Sequence, residues 1–132
     1  MKALDTNVLV RFMTGGDETQ SQKVYNLFKS AETEKTQMFV PAVVLLELIW
    51  VLESAYEIPK KEVADALSNL LLLPILIFEH QNAVQRFAHE AKTTNADLAD
   101  LLIAHISIDC GCDKVLTFDK KAARSLYFEL VK

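Results

Sequence analysis

Short apolar runs alternate along this chain with longer segments in which apolar residues return every third or fourth position. The first pattern predicts strands and the second helices. Lys2-Ala3-Leu4 reads as a strand, and Thr6 to about Met13 as a helix stopped by Gly15-Gly16. Thr19 and Gln22 have capping-box spacing, and Val24, Leu27, Phe28 and Ala31 then follow on one helical face. Thr36 to Val40 is a second strand, ending at Pro41, which suits the first turn of a helix. From Val43 to Leu52 only Glu47 interrupts the apolar residues, which predicts a helix buried on several sides.

Pro59 opens the next helix, with Val63, Leu67, Leu70 and Leu71 on one face. Ile75 to Phe78, after the break at Pro74, is a third strand. His80 to Lys92 is helical by the spacing of Val84, Phe87, Ala88 and Ala91. Asp97 to about Ile108 is helical, with Gly111 marking its end. Lys114 to Phe118 is a fourth strand, Asp119 to about Ser125 a short helix, and Leu126 to Val131 a last strand. Short strands separated by helices pair in parallel through right-handed crossovers. The expected class is therefore α/β, with helices on both faces of a sheet of about five strands.

At 132 residues without repeat or long linker, the chain is expected to form one domain spanning residues 1–132. An apolar content of 51% is enough for a core without staples. A net charge of −4, from 14 basic and 18 acidic residues, argues against loose binding to nucleic acid through a basic coat. It leaves a nucleic-acid enzyme open, because acids that hold a metal count against the total. The two cysteines, Cys110 and Cys112, match no zinc pattern and read as reduced, small, buried side chains. Asp5 interrupts any leader, and Glu47 and Pro74 break the most apolar stretches before they reach membrane-spanning length. A cytoplasmic protein with no membrane contact is expected.

Four acids stand out from ordinary surface solvation: Asp5 after the first strand, Glu47 within its apolar helix, Asp100 early in a helix, and Asp119 after the fourth strand. A buried carboxylate must be paired, protonated or bound to a cation, and Glu47 has no Lys or Arg within a helical turn. In a parallel sheet the carboxyl ends of all strands share one edge, which brings Asp5 and Asp119 there, with Glu47 about two turns beyond the second strand. The place of Asp100 is less determined by topology. Clustered carboxylate oxygens suit Mg²⁺ or Mn²⁺ better than zinc. Asp97 shares a helix face with Asp100 and reads either as an N-cap or as help for a second metal. Thr6, Asn7 and Thr117 are candidates to orient carboxylates and water, with capping and strand propensity as their plain alternatives. Lys120, Lys121 and Arg124 follow Asp119 and either meet phosphates or form a solvated face. The three histidines, His80, His89 and His105, read as structural, and no glycine loop is present to cradle phosphate.

Leu4-Asp5-Thr6-Asn7, Glu47-Leu48-Ile49-Trp50-Val51-Leu52, Asp97-Leu98-Ala99-Asp100-Leu101-Leu102-Ile103-Ala104 and Leu116-Thr117-Phe118-Asp119 together resemble the PIN-domain ribonucleases. They are most similar to the VapC-type toxins of prokaryotic toxin–antitoxin pairs. Each motif alone is weak, but four in order across the whole chain are specific. The resemblance implies a three-layer α/β/α domain with a parallel sheet of order 3-2-1-4-5. It implies that Asp5, Glu47, Asp100 and Asp119 are catalytic metal ligands, with Asp97 beside them. It implies Mg²⁺- or Mn²⁺-dependent endoribonuclease activity, homodimers, and inhibition by a small VapB-like antitoxin. Phe118 departs from the family pattern, where Arg or Ser is common.

Two alternatives stay within the family: an RNA-processing nuclease outside any toxin pair, and a non-catalytic interaction domain. A haloacid-dehalogenase-like phosphatase needs a second acid where this chain has Asn7. A receiver domain needs an acid after the third strand and adjacent acids near the first.

Overall fold

A computed structural model describes residues 1–132. The elements run in the predicted order: β1 (Lys2–Ala3), α1 (Thr6–Thr14), α2 (Glu18–Glu34), β2 (Met38–Val40), α3 (Ala42–Ser54), α4 (Lys60–Leu71), β3 (Leu76–Phe78), α5 (Gln81–Ala91), α6 (Leu98–Asp109), β4 (Val115–Thr117) and β5 (Phe128–Leu130). The segment expected as a helix after Asp119 is only a 3₁₀ turn at Ala122–Arg124. No helix is long and apolar enough to cross a membrane.

The chain divides into two compact units, Met1–Glu79 and His80–Lys132. The first contains a parallel three-stranded sheet of order β1-β2-β3, with Lys2 opposite Met38 and Met38 opposite Leu76. The second contains a parallel pair, β4-β5, with Val115 opposite Phe128. The α/β class and parallel pairing are as expected, and the orders 3-2-1 and 4-5 are each found. A pairing of β1 with β4 is not among the strand hydrogen bonds, and β1 is an edge strand of its own sheet.

In the first unit, Leu9, Val40, Leu45, Leu48, Ile49, Leu52, Val63 and Leu70 are fully buried and form the centre of the core. They come from β2, α1, α3 and α4, at the helical and alternating positions that the pattern assigns to inner faces. Burial of such side chains stabilises the fold by about 1.5–3 kcal/mol each. Helix α1 ends because Gly15 takes φ 69°, where its N–H reaches the carbonyl of Arg11 at 3.0 Å. Helix α2 starts two residues before the expected position: Asp17, not Thr19, is the N-cap, and its Oδ1 accepts from the Gln20 N–H at 2.9 Å. A carboxylate at this position also favours the positive helix end, which the Thr19 hydroxyl cannot do.

Helix α3 is buried on several sides through Val44, Leu45, Leu48, Ile49 and Leu52, but it keeps one open stripe that corrects the expected burial of Glu47: Val43 is 73% exposed, Trp50 64%, and Glu47 lies between them. Its N-terminus lacks a side-chain cap from Pro41; instead the Glu79 carboxylate, just beyond β3, accepts from the Ala42 N–H at 2.7 Å.

In the second unit, α5 and α6 pack on each other through Ala83, Val84, Phe87, Ala88, Leu98, Leu101, Leu102 and Ala104. Small residues on α5 allow close approach. Both cysteines, expected to be buried, are exposed and unpaired, because they lie beyond the last turn of α6, where no element covers them.

Candidate functional site

In the first unit, Asp5 stands between β1 and α1. Its Oδ1 accepts from the Thr6 N–H at 2.8 Å, so Asp5 itself caps α1, and capping, the plain alternative for Thr6 and Asn7, is not their role. One carboxylate oxygen is thereby pinned, and the other is left without a protein donor. Thr6 is buried, and its hydroxyl oxygen has no hydrogen-bond partner. Such an orphan next to a carboxylate marks a place where a further polar group or ion belongs. Asn7 is exposed. Helix α1 packs on α3, which carries Glu47. Glu47 is exposed and makes no hydrogen bond or ion pair, so the buried-charge argument drawn from its apolar neighbours does not hold. The Ala42–Ser54 helix has one open side, and Glu47 is on it.

In the second unit, Asp97, Asp100 and Asp119 line one cleft of about 880 Å³. Asp97 is the N-cap of α6, with its Oδ1 accepting from the Asp100 N–H at 3.0 Å. This places the Asp100 side chain in the first helical turn, beside its capping partner. Asp119 is held from both sides. Its N–H donates to the Thr117 hydroxyl at 3.0 Å, and its Oδ1 accepts from the N–H of Lys121 at 2.8 Å and of Ala122 at 3.3 Å. Thr117 thus positions Asp119. Phe118, between them, is 81% exposed. Burial raises the pKa of Asp100 above the ordinary carboxylate value, and the charges of Asp97 and then Asp119 raise it further. These three carboxylates therefore share one field.

A family model for the PIN domain matches residues 2–126. The chain belongs to the PIN domain family. This PIN domain is also similar to a VapC ribonuclease of Aquifex aeolicus (strain VF5), with 30% identity over 71 residues. That match covers 54% of this chain and spans only about half (52%) of the relative. The expected family membership is borne out.

The donor chemistry in each unit fits a hard divalent cation: carboxylate oxygens without sulfur or imidazole, with an orphaned hydroxyl at Thr6 after Asp5 in the first, and in the second an Asp100 whose pKa is raised by burial and then by Asp97 and Asp119. No three Asp, Glu, His or Cys side chains stand close enough together to hold a metal ion as they are.

Two neighbours of the cleft, Glu90 and Tyr127, escaped the sequence. Glu90 lines the acidic cleft, and its Oε1 accepts from the Tyr127 hydroxyl at 2.6 Å and contacts His105 Nε2 at 2.9 Å. Nothing local in the sequence relates these positions. His105 is structural, as expected, and so is His80, which pairs with Asp109 at 3.1 Å.

Proposed function

We propose that this PIN domain, acting as one unit over residues 1–132, is a divalent-metal-dependent endoribonuclease and the toxin of a type II toxin–antitoxin pair. The observation that carries the reading is the cleft of Asp97, Asp100 and Asp119, in which burial and then the charges of its neighbours raise the Asp100 pKa, within a chain of the PIN family. The similarity to a VapC ribonuclease supports the choice of RNA.

Asp5, Glu47, Asp100 and Asp119 would hold Mg²⁺ or Mn²⁺, with Asp97 beside them. When bound, such an ion activates water and neutralises charge on the phosphodiester. Three of these carboxylates are prepared in the same way. Asp5, Asp97 and Asp119 each spend one oxygen on backbone N–H groups, which fixes the carboxylate plane and leaves the other oxygen for a ligand. Glu47 and Asp100 make no competing protein bond. Thr6 and Thr117 stand next to ligands and orient them or water, and Asn7 is exposed at the same helix start. No side-chain nucleophile is required. Homodimerisation, a VapB-like antitoxin partner and a cytoplasmic location complete the reading.

Protein freed of antitoxin should cleave single-stranded RNA with Mg²⁺ or Mn²⁺ and stop on chelation. Asp5→Asn and Glu47→Gln should abolish cleavage with the circular dichroism spectrum unchanged. Full activity in both variants would sink the metal-site reading. A short reading frame beside this one, encoding a DNA-binding partner, would separate a toxin from an RNA-processing nuclease.

A further inference from the structure

The acidic cleft of the second unit has a basic side. Lys121 and Arg124 line it together with Asp97, Asp100 and Asp119. Both basic side chains are exposed, and neither forms an ion pair with any of the three acids. Two cations that share a cleft with three carboxylates would be expected to neutralise them, if that were their role. Their separation has a backbone cause. The Asp119 carboxylate accepts from the backbone N–H groups of Lys121 and Ala122, so it is bound to the main chain of the segment that carries the two cations and not to their charged ends. Asp119, Lys121 and Arg124 thus lie on one short segment, facing Asp97 and Asp100 at the start of α6 across the same cleft.

A phosphodiester chain complements this arrangement. The acids need a cation to receive a phosphate, whereas Lys121 and Arg124 receive one directly. Guanidinium groups bind phosphate oxygens bidentately and lysine binds them as a point charge. The exposed Leu126 side chain lines the same cleft and offers apolar surface to a sugar or base. We propose that Lys121 and Arg124 are substrate-positioning residues that hold backbone phosphates of single-stranded RNA next to the scissile one. This inference rests on the ribonuclease reading and adds to it which residues supply substrate affinity in a chain of net charge −4.

Binding of a fluorescein-labelled single-stranded oligoribonucleotide, measured by anisotropy with chelator present over a range of KCl, tests it without turnover. Lys121→Ala/Arg124→Ala should bind about tenfold more weakly near 0.1 M salt, and the slope of log K against log salt should flatten by about 1.4, or ~0.7 per lost phosphate contact. Lys121→Arg/Arg124→Lys should restore both. The charge-matched control Lys23→Ala/Lys29→Ala, on α2, should retain the wild-type slope. With Mn²⁺ present, KM should rise in the first variant while kcat is kept. Cleaving wild-type protein with unchanged slope and KM in Lys121→Ala/Arg124→Ala overturns this inference alone. Wild-type protein that binds with this Lys121 and Arg124 dependence but never cleaves overturns the ribonuclease reading and leaves the inference standing. Failure of the wild type to bind at all overturns both.

Discussion

Tyr127→Phe removes one hydroxyl and keeps the ring. That hydroxyl donates to Glu90 Oε1 at 2.6 Å, and the same oxygen meets His105 Nε2 at 2.9 Å, while the His105 and Tyr127 rings pack with centroids 5.2 Å apart. The group ties the start of β5 to both α5 and α6, and so sets one wall of the acidic cleft. A hydrogen bond to a charged acceptor contributes about 1.5–3 kcal/mol. The Glu90 side chain is 37% exposed, although His105 is only 8% exposed. Solvent screening therefore reduces the expected loss to about 1–2 kcal/mol. For a domain of this size that corresponds to a fall in Tm of roughly 3–10 °C.

The pH dependence gives a second reading of the same bond. The hydrogen bond to Glu90 raises the Tyr127 pKa above its ordinary value of 10.0, with burial and the Glu90 charge adding to it. A group whose pKa is raised by folding contributes stability that is fully present below its unfolded value and lost as pH rises through the folded one. The difference between wild type and Tyr127→Phe should thus be constant from about pH 7 to 9 and shrink above about pH 10. Thermal and urea unfolding followed by circular dichroism measure both. A Tm within 1 °C of wild type at pH 7 would refute the reasoning.

Two further outcomes separate site chemistry from stability. Because burial and the charges of Asp97 and Asp119 raise the Asp100 pKa, ionised Asp100 destabilises the metal-free fold. Metal-free Asp100→Asn should unfold at a higher temperature than wild type at pH 7, and the gap should narrow as pH falls through the raised Asp100 value and be closed below the ordinary 3.8. Millimolar Mn²⁺ should raise the wild-type Tm and leave that of Asp100→Asn unchanged. On α3, Leu48→Ala opens the core at a residue with no exposure and should cost about 2–5 kcal/mol in urea unfolding. Its exposed neighbour Glu47→Gln should stay within about 0.5 kcal/mol of wild type. A large stability loss in Glu47→Gln would mean that its effect on cleavage says nothing about metal.

Much of this protein was legible in local spacing. Every strand and long helix was visible because apolar periodicity, Pro41, Pro59, Pro74 and the Gly15-Gly16 and Gly111 breaks act within a few residues. Asp97 was readable as an N-cap for the same reason, since a cap and its N–H lie three residues apart. The four acids could be named from their places after strands and within motifs. What faces an open side was not legible. An all-apolar helix has no polar stripe to announce its exposed face, so Glu47 was taken as buried when α3 leaves Val43, Glu47 and Trp50 uncovered. Cys110 and Cys112 were misplaced likewise, because small side chains carry no sign of what packs over them.

Partners far apart in the chain were also out of reach. Glu79 caps a helix that starts 37 residues earlier, and Glu90 meets Tyr127 across the same separation. Sequence alone therefore determined the order and type of the strands and long helices, and which residue types could do chemistry. Tertiary structure alone decided which carboxylates share a cleft with Glu90 and Tyr127, which side of α3 stays open, and that Lys121 and Arg124 line that cleft unpaired. The physical reason is range: dihedral preference and capping act over one helical turn, whereas burial and charge coupling depend on neighbours that only the folded chain supplies.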